Sequence, residues 1–397
     1  MMTEAGSLPR PVPGWVYGVS ALGIAVGAVS FGVGAASAHP APAWRALLIN
    51  FLFWTSVAQG AFMWAVAFQL SRTTWSATVE RLGHAMVGFL GVSVLLFAAL
   101  FPGRSHYLPW VSTGVGDIGI WLNTPFLFLR DGIGLLALFA LACVFVRTRL
   151  GSDRMVAPRE GAVDAAALRR ADRRLSTLGV LLALVYTVVA TLVALDLVMS
   201  LTPGWSSALF GWYYLVGGLY GGMAALIVAL VLLRGWLGVT VRTQQFQDMG
   251  NLLMAFAMVM TYFFFAQALV IWYENLPQET IFAIPRLRLQ PWGTLSWIAL
   301  GACYLGPFLL LVIREMKENP RTLFGVAALV LLAMWFERYL LVTPSLAPRG
   351  EGFPALEPLI GLGFLGLLVI TAAPALARAP MFGPLDAQVT RERKEWQ

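Results

Sequence analysis

Ser176–Leu201 reads STLGVLLALVYTVVATLVALDLVMSL. From Ser176 to Leu195 it carries no charge. About twenty such residues, rising 1.5 Å each in a helix, cross the roughly 30 Å of a bilayer's hydrocarbon. The segment therefore reads as a membrane-spanning helix. Nine more windows of that kind flank it, giving spans at 15–36, 46–70, 82–101, 125–146, 176–201, 207–233, 250–274, 294–314, 322–343 and 356–378. The composition of all 397 residues agrees: 59% are apolar and 12% charged, where a soluble domain has about 25% charged. Mean hydropathy is +0.75. A soluble globular fold and a disordered chain are both excluded. The net charge of +7 does not point to nucleic acid, because the basic residues are diluted among apolar runs. The flank before the first span holds Arg10 and Glu4 and lacks a basic cluster, so this span is not read as a cleavable leader.

Lysine and arginine in the connections set the expected orientation. With both termini on one side, that side collects 20 of the 27 basic residues; the other collects five: Arg45, Arg104, Arg286, Arg288 and Arg349. The positive-inside rule then makes both termini of this multi-pass chain cytoplasmic. The connection Arg147–Arg174 carries eight arginines, and its segment Asp164–Arg174 reads as a short cytoplasmic helix. The outer connections 102–124 and 275–293 are long and rich in Trp, Tyr, Pro and Gly, as a lid or docking surface would be.

The chain also repeats itself. Asp196-Leu-Val-Met-Ser-Leu-Thr-Pro203 closes the fifth span and Glu337-Arg-Tyr-Leu-Leu-Val-Thr-Pro344 the ninth, each with an acid seven residues before its proline. Glu80-Arg-Leu-Gly-His84 opens the third span as Gln247-Asp-Met-Gly-Asn251 opens the seventh. The expected fold is thus an all-α polytopic membrane protein with ten transmembrane helices. It has two related four-helix bundles, spans 2–5 and 6–9, and two peripheral helices. In chain order this gives a tail and first helix (1–45), a first bundle (46–201), a second bundle (202–343), and a tenth helix with a cytoplasmic tail (344–397). The glycines Gly211, Gly217, Gly218, Gly221 and Gly222 of the sixth span read as sites of close helix packing.

Charges inside the hydrocarbon cost at least roughly 2.5–3.5 kcal/mol each, so each needs a partner or a task. Arg130 and Asp131 lie about six residues, roughly 9 Å, inside the fourth span. Asp196 and the Glu337–Arg338 pair lie at a similar depth, and Glu274 closes the seventh span on the same side. Two readings stand. Arg130 and Arg338 pair with Asp131, Glu337 or Asp196 and fix helix register; or the acids are stations of a proton path or line a quinone head-group site. A path would run from Glu80 and His84 at the inner end through Gln59 and Tyr186 to the outer acids. For a quinone ring the candidates are Tyr213, Trp272 and Tyr273, which also fit an interfacial aromatic belt. A lone His84 near the inner interface can equally meet lipid head groups.

Other chemistries lack their residues. Cys143 and Cys303 lie singly in apolar runs, and His39, His84 and His106 include no paired intramembrane ligands for haem. Neither Lys317 nor Lys394 lies in a span, which excludes a retinal-type Schiff base. No catalytic residue, metal site, phosphate-binding loop or dinucleotide fingerprint is found. A secondary transporter remains a weaker alternative, since such proteins carry interrupted helices around a midplane site.

Ten spans, two bundles and outer-half acids resemble the polysulfide-reductase (NrfD/PsrC) superfamily of membrane subunits. Asp196–Trp205 (DLVMSLTPGW), Ala266–Phe282 (AQALVIWYENLPQETIF) and Trp335 with Glu337–Pro344 look most like the F-type subunit of alternative complex III, a quinol:cytochrome c type oxidoreductase. The resemblance spans nearly the whole chain, and IWYENLPQET is its most specific part. It implies a bacterial inner membrane as the location, and a homologous ten-helix C-type membrane subunit, multihaem cytochrome c and iron–sulfur subunits, and surrounding lipids as partners. Haem and iron–sulfur groups would belong to those partners, with quinone or menaquinone the only cofactor this chain would meet. The chain would be a non-redox subunit that anchors the redox subunits and offers a proton path; the alternative is a quinone-binding anchor of a polysulfide-reductase-like complex.

Overall fold

The computed structural model describes residues 11–73, 76–112, 121–156, 165–348 and 355–378. Parts of the connections 102–124 and 147–174, including Arg159 and Asp164, and the basic tail beyond residue 378 lie outside the described residues. Among the described residues, ten helical stretches are long and apolar enough to cross a membrane. They are span 1 Gly14–Ala35, span 2 Ala41–Ser71, span 3 Ala77–Tyr107, span 4 Thr124–Asp153 and span 5 Ala166–Leu201. They continue with span 6 Phe210–Leu237, span 7 Thr243–Glu274, span 8 Trp292–Val312, span 9 Pro320–Leu346 and span 10 Leu356–Ala377. The protein is an all-α polytopic membrane protein. Ten crossings return the chain to the side on which it began. That side is called proximal below, and the opposite one distal.

Spans 2, 3, 4 and 5 close one ring of four helices; spans 6, 7, 8 and 9 close a second. Span 2 packs along span 6, span 5 against span 6, and span 9 against span 2. The last two contacts exchange if the bundles are swapped, so spans 2 and 6 hold equivalent places at the centre. Glycine sets how closely they approach. A Cβ on Gly60 would lie 1.9 Å from the carbonyl oxygen of Gly218, and one on Gly222 would lie 2.3 Å from the amide nitrogen of Ala61. Gly221 faces Val57 on the same seam, whereas Gly217 faces the side chain of Arg338. Spans 1 and 10 pair with each other outside the rings and rest on span 2. Asn50 ties this flank to the core: its amide donates to the Glu357 carbonyl of span 10 and accepts from the Trp335 indole of span 9.

Two helices run beyond the boundaries the apolar windows suggest. The helix of span 4 reaches Val156, and that of span 5 begins at Ala165 without a break. The charged stretch after Asp164 is therefore the first turns of span 5 and not a separate cytoplasmic helix. Span 8 is interrupted. Between Trp292–Leu300 and Gly306–Val312 it makes a π-helical turn, Gly301–Leu305. A short distal helix, Pro277–Leu287, connects spans 7 and 8 and lies against span 9.

Candidate functional site

Arg45 of span 2, which the apolar windows leave in a connection, is buried 3.7 Å from Glu357 of span 10; the distal charges within the two bundles form two further, separate clusters, one per bundle. In the first, the Arg130 guanidinium donates to Asp196 and lies 3.5 Å from Asp131 Oδ1. The Trp121 indole donates to the other Asp196 oxygen at 3.1 Å. Trp121 and Phe126 cover the guanidinium, 3.9 and 4.9 Å from their ring centres. Both carboxylates are buried, and neither Asp131 oxygen has a hydrogen-bond donor among the described residues. Two acids thus share one cation. With both acids ionised the set carries a net charge of −1, and one proton makes it neutral.

The second cluster is built differently. Arg338 Nη1 donates to both oxygens of its neighbour Glu337, at 3.2 and 2.9 Å. The guanidinium lies 4.2 Å from the Tyr214 ring centre and occupies the space that Gly217 leaves open. Its Nε and Nη2 have no acceptor among the described residues, although the side chain is wholly buried. Tyr213 donates to Glu337 Oε1 at 2.5 Å and meets the Tyr304 hydroxyl at 2.7 Å. The π-turn supplies Tyr304. Pro307 has no N–H, so the Cys303 carbonyl one turn earlier loses its helical donor, and the Tyr220 hydroxyl takes that place at 2.7 Å.

A cavity of about 330 Å³ opens beside this cluster. Spans 6–9, the helix Pro277–Leu287 and the connection before span 6 line it, with Trp205, Phe210, Phe263, Phe282 and Leu340 beside the polar Gln267, Thr280 and Ser296, and with the buried Glu337, Tyr213 and Tyr304. Trp205 stacks on Phe282 with ring centres 3.8 Å apart. The helix is held by Arg286. Its Nε donates to the Leu340 carbonyl at 3.1 Å, which Pro344 leaves without a helical partner. Its Nη2 reaches the Leu341 carbonyl and the Ser345 hydroxyl, both at 2.7 Å. Burial pulls the Arg286 guanidinium down to about 9, so it remains protonated at neutral pH.

A third cluster lies at the proximal end of the first bundle. Arg81 pairs with Asp153, Arg149 lies 3.5 Å from Asp153 and 3.9 Å from Glu80, and Ser76 donates to Glu80 at 2.5 Å. His84 sits inside this end, between Phe62 and Phe145, with ring centres 6.4 and 5.8 Å away. It is buried, and neither ring nitrogen has a partner among the described residues. It does not meet lipid head groups, because spans 2 and 4 cover it. Arg149 and Asp153 escaped the sequence reading because they follow the fourth apolar window, 125–146, on a helix that continues beyond it.

The remaining candidates divide. Gln59 is buried in span 2. Tyr186 donates to the Leu215 carbonyl at 3.1 Å, and its hydroxyl fills the space beside Gly218. It therefore faces span 6 at the seam between the bundles, rather than leading directly to Asp131 and Asp196. Midway along the first bundle, Thr55 donates to Ser93 at 3.2 Å, a polar pair not among the sequence candidates. Trp272 lines the mouth of the cavity and is 76% exposed; Tyr273 is 83% exposed and does not line it. Glu274 is exposed at the end of span 7 and joins neither cluster. The repeated Thr-Pro ends do meet: the Thr202 and Ser345 hydroxyls lie 2.9 Å apart. Among the described residues, no group of three or more His, Cys, Asp or Glu is placed to hold a metal ion. No protein-family model matches the chain, and no curated protein matches it.

Proposed function

We propose that this protein is an integral membrane subunit of a quinol:electron-acceptor oxidoreductase of the alternative complex III type. It anchors haem- and iron–sulfur-carrying subunits beside a homologous ten-helix partner and offers protons a route, without a redox centre of its own. Both termini face the cytoplasm of a bacterial cell, as the lysine and arginine distribution favours. The family assignment rests on the resemblance of the Asp196–Trp205 and Ala266–Phe282 runs. The proton role rests on one observation: Arg130 is shared by two buried acids, Asp131 and Asp196. A purely structural ion pair needs one acid per guanidinium. A second acid gives the cluster a place for a proton that comes and goes.

The test is turnover and proton release of the assembled complex in vesicles, with Asp196→Asn and Glu337→Gln made singly and together. Proton-coupled turnover is expected to fall several-fold in Asp196→Asn while the complex still assembles. Full activity and coupling in the double variant would reduce both clusters to helix-registering ion pairs.

A further inference from the structure

The two bundles differ in charge at their proximal ends. In the first, Arg149 of span 4 lies 3.9 Å from Glu80 of span 3 and 3.5 Å from Asp153, four residues further along its own helix. The repeat carries this register into the second bundle, where Gln247 holds the place of Glu80 and Gly250 that of Gly83. Arg149 follows Glu80 by 69 residues, and Lys317 follows Gln247 by 70. The cation is thus kept, but both of its acids are gone. Gln247 stands for Glu80, and Arg321, four residues beyond Lys317, stands for Asp153.

Lys317 nevertheless has a fixed seat. It lies on the short helix Arg314–Glu318 that links spans 8 and 9, and only 7% of it is exposed. Its stem crosses span 7 at Gly250, where a Cβ would lie 2.8 Å from Lys317 Cγ and 3.3 Å from Cδ. Gly250 is about 10 Å along span 7 from Thr243, near the edge of a hydrocarbon layer of roughly 30 Å, so the ammonium stands at head-group depth. Its nitrogen is not wholly enclosed, and no carboxylate meets it among the described residues. The acids near it in sequence are turned elsewhere. Glu318 accepts from Arg314 at 2.6 Å, and Asp248 accepts from Gln244 at 3.1 Å. Glu315, two residues from Lys317, is exposed on another face of the short helix.

We infer that the missing counter-charge is the phosphate of an anionic phospholipid from the proximal leaflet. The phosphate lies against the Lys317 ammonium, with Arg321 as a second positive charge at the start of span 9. The acyl chains lie on the exposed apolar faces of spans 7 and 8, where Met258, Leu309 and Val312 face outward. The lipid thereby balances from outside the chain the charge that Glu80 and Asp153 balance from within in the first bundle. The site is independent of the quinol-linked reading.

The test is photocrosslinking of the full-length protein in its native complex, reconstituted in phosphatidylcholine nanodiscs. The probe is phosphatidylglycerol with a diazirine close to the head group on one acyl chain, added as a minor component, and crosslinked peptides are mapped by mass spectrometry. Peptides carrying Gln247–Asn251 or Arg314–Arg321 should be labelled about fivefold more than by phosphatidylcholine with the same diazirine, the worth of roughly one basic residue at a charged membrane surface. Lys317→Met keeps the stem on Gly250 but removes the charge, and should bring the two probes level. Gln247→Glu restores, one turn from Gly250, the acid that the first bundle has, and should lower phosphatidylglycerol labelling several-fold; Gln247→Met should not. Excess soluble glycerol 3-phosphate should leave the labelling unchanged, and competition by it would make the occupant a soluble phosphate and not a lipid. Equal labelling by the two probes in the unmodified protein overturns the inference, as does a preference for phosphatidylglycerol that survives in Lys317→Met.

Discussion

Arg130 has two acidic partners and one charge, and this imbalance makes the first distal cluster respond unequally to its three possible neutralisations. Asp131→Asn leaves Arg130 paired one-to-one with Asp196, so the protein's stability in detergent should change by no more than about 1 kcal/mol. Arg130→Gln leaves two buried carboxylates without a cation, and breaking a buried pair from one side costs about 3–5 kcal/mol. Thermal unfolding of the two variants, measured side by side, should show that order; a reversed order would mean that charge pairing does not hold the cluster. Arg130, Asp131 and Asp196 were legible in the sequence because each interrupts an apolar run. Arg149 and Asp153 were not, because an arginine-rich stretch after an apolar window reads as a loop until the helix is seen to continue to Val156. His84 was visible, but its surroundings were not: distance from the span's end says nothing about which neighbouring helices cover a side chain.

Prolines within the spans act at the scale of the element by freeing carbonyls that distant side chains then occupy. Pro307 frees Cys303, which Tyr220 caps from span 6; Pro344 frees Leu340, which Arg286 caps from the helix Pro277–Leu287. The second case makes a coupled prediction. Arg286→Lys replaces a fork that reaches three acceptors around the end of span 9 with a single ammonium, and should lower stability by about 2 kcal/mol. Pro344→Ala restores an N–H for the Leu340 carbonyl. In that background Arg286→Lys should cost less, by about 1 kcal/mol. Denaturation of the four proteins in one detergent gives the coupling directly, and a strictly additive pair would show that Arg286 is not compensating for the proline. Both prolines stand plainly in the sequence. The side chains that cap the freed carbonyls lie 83 and 54 residues from them in the chain, and the π-turn that presents Tyr304 has no local signature in a run that reads as one apolar helix.

At the scale of the whole molecule the two bundles are held face to face by spans 2 and 6, where the backbones themselves touch. The Cβ of Gly60→Ala would meet the Gly218 carbonyl at 1.9 Å, against backbone that cannot rotate aside. This change should prevent accumulation of folded protein, whereas Gly32→Ala, with nothing within 4 Å, should not. Detergent-extractable yield separates the two outcomes. The glycine run of span 6 was legible as packing, but Gly60 was not, since one glycine in an apolar helix has no pattern.

The same arrangement bears on where protons travel. The first bundle carries buried ionisable groups at both ends: Glu80, Arg149, Asp153 and His84 proximally, Asp131 and Asp196 distally. In the second bundle, Asn251 at the proximal end is exposed and Asp248 only half-buried; the buried charge at that end is the Lys317 ammonium, whose stem packs against Gly250, and the buried acid, Glu337, lies at the distal end. If protons cross the first bundle, Glu80 and Asp196 are stations in series, and closing either one closes the route. Glu80→Gln and Asp196→Asn should then each lower proton release in vesicles several-fold, and the double variant should be no slower than the slower single. Glu337→Gln, on a different bundle, should combine multiplicatively with Asp196→Asn. The comparison does not depend on the absolute rates, which assembly defects would alter, but on whether the pairs combine differently. A Glu80–Asp196 double variant that falls to the product of its singles would place the two acids on separate routes, and the polar ends of the first bundle would then be two unrelated ion-pair sites.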